Sequence, residues 1–187
     1  MTKRFFDTIL ALSLLGIFLA PLLIISLVVK WTSPGPVLHW SKRVGKDNKL
    51  FLMPKFRSMK INTPQVATHL LTNAQDHLTP VGSFIRKTSL DELPQLWSVL
   101  VGDMSFVGPR PALFNQDDLI KLRTERGVSG LRPGITGWAQ INGRDELPIP
   151  IKVEFDHYYF KNASLLLDLK IIFRTAYKVF NGEGVKH

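Results

Sequence analysis

The chain has 187 residues, enough for one domain with its own core, and carries a formal net charge of +9 with 21% charged residues. This basic balance favours anionic partners, which include nucleic acid, lipid head groups and phosphate-bearing substrates. The absence of cysteine excludes disulfide frameworks, thiolate zinc sites and cysteine nucleophiles. The five histidines show no pair at metal-ligand spacing.

The first predicted element is the apolar segment FFDTILALSLLGIFLAPLLIISLVV, which is long enough to cross a bilayer and has a single charge at Asp7. We expect residues 1–30 to be embedded in the membrane and 31–187 to form one cytoplasmic domain. Pro21 lies in the middle of the segment and predicts a kink. Basic residues flank both ends, which places both ends in the cytoplasm by the positive-inside rule. A re-entrant helix satisfies both features, and a straight span that tolerates its proline is the alternative.

A β-hairpin is predicted next, in the run VLHWSKRVGKDNKLFLMPKFRSM. Two partly alternating segments flank the turn signal GKDN at 45–48, and the second of them ends at Lys55 to Arg57. The polar stretch 61–79 predicts loop and short helix. From Phe84 to Val101, the spacing of Leu93, Trp97 and Leu100 predicts one helix with a buried face.

The C-terminal half begins with LFNQDDLIKLRTERG, which predicts a short helix closed by Gly127. The stretch VSGLRPGITGWAQINGRDELPIP is rich in glycine and proline and predicts an irregular loop region, of a kind that usually serves a site. The last helix, SLLLDLKIIFRTAYKVF, repeats basic residues every four positions. It suits either an anionic membrane surface or a core-packed helix with a solvated basic face. Its predicted apolar stripe is Leu165, Leu169, Ile172, Ala176 and Val179, and its basic stripe is Lys170, Arg174 and Lys178.

These elements together predict a mixed α/β (α+β) fold that is mostly helical. It contains one small β-hairpin, a membrane-embedded N-terminal helix and amphipathic helices at the membrane interface.

Asp91 and Glu92 are the first candidates for chemistry. Neighbours on a helix point about 100° apart, which disfavours a glycosidase with two facing acids. Near a helix start, adjacent carboxylates suit one group that attacks and another that orients or binds metal. The alternative is a helix-capping role, because Ser89 to Glu92 matches the S-x-x-E capping box. Pro94 weakens that alternative, since it disfavours helical geometry at Leu93.

Basic side chains in loops or at element ends form the second candidate set. Loop arginines beside glycine or proline suit bidentate binding of phosphate oxygens, although a single arginine of this kind is usually solvated surface. Trp138 and Phe106 could stack on a nucleotide base, and a core role is the alternative for each. The basic set consists of Lys55, Arg57, Arg86, Arg110, Arg132 and Arg144.

Three motifs carry a family resemblance: KFRSM at 55–59, RKTSLDELPQLWSVLVGDMSFVGPRP at 86–111 and RPGITGWAQINGR at 132–144. They closely resemble the bacterial sugar transferase family of monotopic polyprenyl-phosphate phosphoglycosyl transferases. The likeness covers nearly the whole chain, including the apolar helix with its central break. Small family members place Ser-Pro at the break, whereas this chain has Ala20-Pro21, so a hydroxyl that could satisfy a freed carbonyl is absent.

The resemblance implies an enzyme of the bacterial inner membrane with its catalytic domain, 31–187, on the cytoplasmic face. In this family a re-entrant helix enters the cytoplasmic leaflet, and an aspartate attacks the sugar-bearing phosphorus of a UDP-sugar. UMP leaves, and polyprenyl (undecaprenyl) phosphate accepts the phosphosugar with assistance from Mg²⁺, which initiates surface glycan assembly. The resemblance makes Asp91 the nucleophile and a metal ligand, Glu92 its partner in orientation or proton handling, and Gln140 part of the nucleotide pocket. It assigns phosphate contacts to Lys55, Arg57, Arg86, Arg110 and Arg144.

Two other classes of protein compete with this interpretation. A non-catalytic basic membrane adaptor or lipid-binding protein explains the charge and the apolar helix, but not LDELPQL beside GPRP. A nucleic-acid-binding protein is disfavoured because the sequence contains no recognised binding motif. The expected partners are therefore a UDP-sugar, polyprenyl phosphate and anionic membrane lipids, without nucleic acid. The sequence specifies neither the sugar nor the glycan pathway, and a homodimer remains open.

Overall fold

The computed structural model describes residues 2–64, 74–143 and 147–181. Within these ranges the fold is mostly helical with two small sheets, which confirms the predicted mixed α/β character. Short 3₁₀ turns connect several elements, among them Lys46–Asn48 and Leu90–Glu92. The helices are α1 (Thr2–Ile17), α2 (Leu19–Thr32), α3 (Gly82–Lys87), α4 (Gln95–Val101), α5 (Asp117–Glu125), α6 (Trp138–Asn142), α7 (Ile149–Asn162) and α8 (Leu165–Phe180). The strands are β1 (Leu38–Val44), β2 (Leu50–Phe56), β3 (Ser105–Val107) and β4 (Gly134–Thr136).

Helices α1 and α2 form a bent pair, with an angle of 62° between them at a break around Phe18. The break lies one turn before Pro21, because proline offers no N–H to the carbonyl of Ile17 and its ring crowds that carbonyl. The kink predicted from Pro21 is therefore confirmed. Among the described residues, no single helix has the length and apolar character to cross a membrane. By those two criteria alone, the bent pair could do so.

The bent pair packs on the rest of the chain through narrow faces. Ala11 of α1 joins the main core, whereas Ile25 and Val29 of α2 pack with Phe56 and Ile85. Most of the remaining surface of the pair is apolar and exposed, which marks it for contact with lipid or another apolar surface. The exposed side chains are Phe5, Ile9, Leu12, Ile17, Leu19, Leu23, Ile24, Leu27, Val28 and Trp31.

The predicted hairpin is confirmed. Strands β1 and β2 pair antiparallel, with Leu38 opposite Phe56 and Val44 opposite Leu50. In the turn, Asp47 and Asn48 take positive φ angles of 54° and 59°. Aspartate and asparagine tolerate this left-handed geometry better than other side chains, so the GKDN signal predicts the turn correctly.

The prediction of a single helix from 84 to 101 is wrong. Helix α3 ends at Lys87, Ser89 adopts a left-handed conformation with φ 57°, and a 3₁₀ turn over Leu90–Glu92 precedes α4. Regular helix resumes only after Pro94. The predicted restriction of Leu93 by Pro94 is wrong, because Leu93 itself adopts helical angles, with φ −53° and ψ −37°. The buried face also differs from the prediction, because Trp97 is 56% exposed while Leu96 and Val99 lie in the core.

The stretch 128–150, predicted as an irregular loop, contains regular elements within its described residues, 128–143 and 147–150. It contains α6 and also β4, which pairs parallel with β3 so that Ser105 faces Gly134 and Val107 faces Thr136. Strands of three residues are too short to show an alternating pattern, which explains why this second sheet was not predicted. Helix α7 was also not predicted. The predicted short helix before Gly127 is confirmed as α5, with Gly127 at φ 74° beyond its end.

Helix α8 packs through a face that is shifted from the predicted apolar stripe, although Ile172 of that stripe does pack against the core. Its buried side is formed by Asp168 and Ile171, whereas Leu165 and Val179 of the predicted stripe are 40% and 42% exposed. Lys178 does not belong to a free basic face, because its Nζ donates to the carbonyl of Ile141 at 2.8 Å. The outer side of the helix combines basic and apolar residues: Leu166, Lys170, Phe173, Arg174 and Tyr177.

Candidate active site

The left-handed turn at Ser89 places Asp91 and Glu92 at the centre of the candidate site. Asp91 lies in the 3₁₀ turn that follows Ser89, and its side chain is only 7% exposed. The Ser89 side chain makes no capping hydrogen bond within the described part of the chain. The capping-box alternative is therefore wrong, and the two carboxylates are available for another role.

Glu92 forms ion pairs with two basic side chains that come from separate parts of the chain. Lys55 Nζ, from the end of β2, donates to Glu92 Oε1 at 2.7 Å. Arg110 Nη2, from the loop after β3, donates to the same oxygen at 3.2 Å. Burial by itself would raise the pKa of Glu92, but the charges and hydrogen bonds of Lys55 and Arg110 outweigh it and hold the pKa well below its usual range. Glu92 is therefore ionised at neutral pH.

Asp91 has the opposite shift. Burial raises its pKa to about 6, and the neighbouring charge of Glu92 contributes in the same direction. Lys55, followed by Arg86 and Arg110, opposes this rise. Two adjacent carboxylates with opposite pKa shifts are suited to different tasks. Glu92 is a fixed anion, while Asp91 is a buried and poorly solvated carboxylate that ionises near neutral pH.

The loop that carries Arg110 is fixed on several sides. Gly108 donates its N–H to Thr136 O at 2.9 Å, and Arg43 Nη1 donates to Pro111 O at 3.2 Å. A Cβ atom at Gly108 would lie 2.3 Å from the carbonyl oxygen of Arg132, so only glycine permits this approach. The loop therefore needs the glycine of its GPRP motif in order to pack against β4.

A buried ion pair that the sequence pattern does not predict supports the same loop. Arg123 Nη1 donates to Arg110 O at 2.8 Å, while its Nη2 binds Asp156 Oδ2 at 2.6 Å. Arg123 resembles an ordinary exposed charge of a short helix, and Asp156 lies in the unpredicted α7. The sequence therefore offers only a weak signal for this ion pair. Arg123 is a charged residue of a predicted helix, and its inward direction is seen only in the structure.

Two further candidates, Arg57 and Arg132, bind backbone carbonyl groups in the structure. Arg57 is buried at the end of β2, where its Nη2 donates to Ser33 O at 2.8 Å and its Nη1 to Pro34 O. It ties the hairpin to the end of α2. Arg132 donates from Nε to Gly102 O at 2.8 Å, and Arg144 lies outside the described residues.

Gln140 lies in α6, beside the GPRP loop. Its Nε2 donates to Ile135 O at 3.3 Å, while its Oε1 is buried and has no hydrogen-bond partner among the described residues. Its predicted contact with the nucleotide stays a prediction. Of the two aromatic candidates, Phe106 lies in the core and Trp138 stacks on Tyr158 with ring centroids 5.2 Å apart.

A metal ion could be held at the dyad. Among the described residues, no three histidine or acidic side chains group together as a complete metal site. Asp91 and Glu92 do provide two adjacent carboxylates. Such a donor set fits Mg²⁺, which commonly binds one or two carboxylates and takes its remaining oxygen ligands from substrate phosphates and water.

The model of the bacterial sugar transferase family matches residues 1–182. The chain belongs to this family. The recognition made from the KFRSM, LDEL and GPRP motifs is thus confirmed, and the family match covers the bent helix pair as well as the dyad.

Three bacterial sugar transferases show the range of relatives. The chain is 40% identical to a UDP-N-acetylgalactosamine-undecaprenyl-phosphate N-acetylgalactosaminephosphotransferase of Aeromonas hydrophila, over 98% of the chain and 45% of the relative. It is 41% identical to a UDP-glucose:undecaprenyl-phosphate glucose-1-phosphate transferase of Escherichia coli K12, over 96% of the chain and 40% of the relative. It is also 41% identical to an uncharacterized sugar transferase of Bacillus subtilis, EpsL, over 98% of the chain and 90% of the relative. The chain spans less than half the length of the first two relatives.

Proposed function

We propose that the chain is a phosphoglycosyl transferase that moves a sugar 1-phosphate from a UDP-sugar to polyprenyl phosphate and releases UMP. The observation that carries the proposal is the buried Asp91, set beside a Glu92 that is held by Lys55 and Arg110. The names of two relatives supply the substrate classes, since each combines a UDP-sugar with undecaprenyl phosphate.

In the first half-reaction, a carboxylate oxygen of Asp91 forms a bond to the phosphorus that bears the sugar. The bond from this phosphorus to the bridging oxygen breaks, and UMP leaves with the electron pair. A diphosphate repels an attacking carboxylate, so nearby positive charge must lower the repulsion while keeping Asp91 ionised. Lys55, Arg86 and Arg110 supply that charge, since each lowers the pKa of Asp91.

In the second half-reaction, a phosphate oxygen of the lipid acceptor attacks the same phosphorus. The bond to Asp91 breaks, which regenerates the carboxylate and gives polyprenyl diphosphate sugar. The lowered pKa of Glu92 makes it a poor proton donor, which argues against a role in proton handling. Its role is therefore to orient Lys55 and Arg110 through both steps. Mg²⁺ at Asp91 and Glu92 would supply further charge neutralisation at the diphosphate.

The lipid acceptor requires an active site at the membrane surface. We infer that α1 and α2 enter the cytoplasmic leaflet of the inner membrane and return to the same side. The 62° bend, the exposed apolar surface and the basic residues at both ends of the pair support this arrangement. Helix α8 supports it as well, because Lys170 and Arg174 lie beside the exposed Leu166 and Phe173.

The topology can be tested with single cysteines, since the chain contains none. Thr2→Cys and Lys46→Cys, on either side of the bent pair, should both resist a membrane-impermeant maleimide in intact cells. Both should react once the inner membrane is permeabilised. Labelling of Thr2→Cys alone in intact cells would indicate a straight span and contradict the re-entrant arrangement.

The reaction itself can be tested with the purified chain in detergent and a panel of UDP-sugars. UMP release and a sugar-bearing lipid product should require both one of these sugars and undecaprenyl phosphate. UDP-glucose and UDP-N-acetylgalactosamine are the first donors to test, because relatives are named for them. A chain that binds anionic vesicles but releases no UMP from any donor would instead favour the membrane adaptor.

A further inference from the structure

Strand β3 is paired with β4 along one edge, and α1 covers its other edge. Ser105 donates its N–H to Pro133 O at 2.9 Å on the β4 side. Successive N–H groups of a strand point to opposite edges, so Phe106 directs its N–H away from β4. This N–H donates to Asp7 Oδ1 of α1 at 3.2 Å. The carboxylate therefore takes the place that a neighbouring strand would occupy.

Asp7 is an unusual residue for its position. It is 2% exposed, and it is the single charged residue in the apolar segment 5–29. A carboxylate in an apolar helix is costly, so an anchoring role alone would favour an apolar side chain there. Lys3, one turn earlier on α1, forms its ion pair with Asp168 at 2.5 Å. The hydrogen bond to Phe106 gives Asp7 a function that an apolar residue could not perform.

The same face of α1 contacts α4, the helix after the dyad, and β3, the strand before Arg110. Arg4 Nη2 donates to Leu100 O at 2.5 Å, and its Nη1 donates to Val99 O, at the end of the helix that follows the dyad. Asp7 lies three residues further along, so the two side chains are neighbours on the helix surface. Asp7 binds β3, the strand that leads into the GPRP loop. Helix α1 thus fixes the positions of the dyad segment and of the strand before Arg110 relative to each other.

We propose that Asp7 is a positioning residue for the transfer reaction, which acts through β3 to hold Arg110 against Glu92. The expected effect of Asp7 on the rate of UMP release rests on the proposed function. Only three residues separate Phe106 from Arg110, and the bond from Gly108 to Thr136 ties this loop to β4, so that β3, β4 and the loop form one connected unit. A displacement of β3 from α1 would therefore be transmitted to the guanidinium of Arg110, and small displacements of positioning groups can lower rates by about 100-fold.

A double-mutant cycle tests this coupling with the full chain. Asp7→Val should lower kcat/KM for UMP release by at least about tenfold. Asp7→Asn should recover most of that loss, because its amide oxygen can accept the same N–H. In an Arg110→Ala background, Asp7→Val should cost less than about twofold, since the group that it positions is already absent. Fully additive effects, or an Asp7→Asn enzyme as impaired as Asp7→Val, would overturn the proposal.

The matched control is Thr8→Val, because the Thr8 hydroxyl binds Arg4 O within α1 at 2.9 Å. It should leave kcat/KM unchanged.

Hydrogen exchange gives a readout that does not depend on activity: the peptide spanning 103–112 should exchange faster in Asp7→Val, but not in Asp7→Asn or Thr8→Val. Equal protection in wild type and Asp7→Val would overturn the proposal even in an active enzyme. If wild type releases no UMP, the proposed function fails while exchange still tests the contact. If Asp7→Val does not fold, the shorter Asp7→Ser replaces it.

Discussion

Asp91→Asn is expected to abolish UMP release, because an amide is a far poorer nucleophile than a carboxylate. With the lipid acceptor withheld, wild type should release about one UMP per enzyme in a burst, since the phosphosugar stays on Asp91. Mass spectrometry of the quenched enzyme should place the added phosphosugar on the peptide that contains Asp91. The variant should show neither burst nor adduct. Ternary-complex kinetics without a burst, or turnover by Asp91→Asn, would contradict the covalent mechanism.

The loss should not reflect unfolding, and the pKa of Asp91 gives the reason. Folding raises this pKa from 3.8 to about 6, so the stabilisation from proton binding is present below about pH 4 and is lost as pH rises through about 6. At about 1.4 kcal/mol per unit, ionised Asp91 lowers the free energy of unfolding at neutral pH by up to about 3 kcal/mol. Asp91→Asn should therefore have a higher melting temperature than wild type at pH 7.5. At pH 4 the two proteins should have about the same melting temperature. Glu92→Gln, which keeps the nucleophile, should retain a measurable burst.

The parts of the site that could be predicted from the sequence are those with local signals. LDEL, GPRP and the lysine at the end of the hairpin select Asp91, Glu92, Arg110 and Lys55, which the structure brings together. The turn at GKDN and the bend before Pro21 also follow from local backbone preferences. The sequence does not reveal that Lys55 and Arg110 meet on one oxygen of Glu92, because that contact depends on how three distant segments pack.

The parts that were missed depend on tertiary structure. The left-handed Ser89 carries no glycine or asparagine signal, so the break between α3 and α4 resembled continuous helix. Arg123 and Asp156 are 33 residues apart and form a buried ion pair, yet each alone resembles surface charge. The family resemblance assigns Arg57 to phosphate, whereas the structure directs its guanidinium to carbonyl groups at the end of α2. Its contact with phosphate remains a prediction.

Lys55→Met is expected to impair the first half-reaction in two ways. Lys55 is the charge that most strongly opposes the rise in the pKa of Asp91, so removing it should raise that pKa above 6. Glu92 would also lose its 2.7 Å partner and keep its longer contact with Arg110, at 3.2 Å. Loss of a positively charged group that stabilises the transition state costs roughly 3 kcal/mol of activation free energy, so we expect kcat/KM to fall by about 100-fold.

The pH dependence of UMP release separates these two effects, measured from pH 5 to 8.5 at a constant Mg²⁺ concentration. A nucleophile must be ionised to attack, so wild-type kcat/KM should fall as pH drops through the pKa of Asp91. In Lys55→Met this acid limb should move to higher pH, because a larger share of Asp91 is protonated at each pH. Lys49→Met, an exposed lysine of the same hairpin, should keep the wild-type profile. A lower rate with an unmoved limb would mean that Lys55 serves the diphosphate and does not set the ionisation of Asp91.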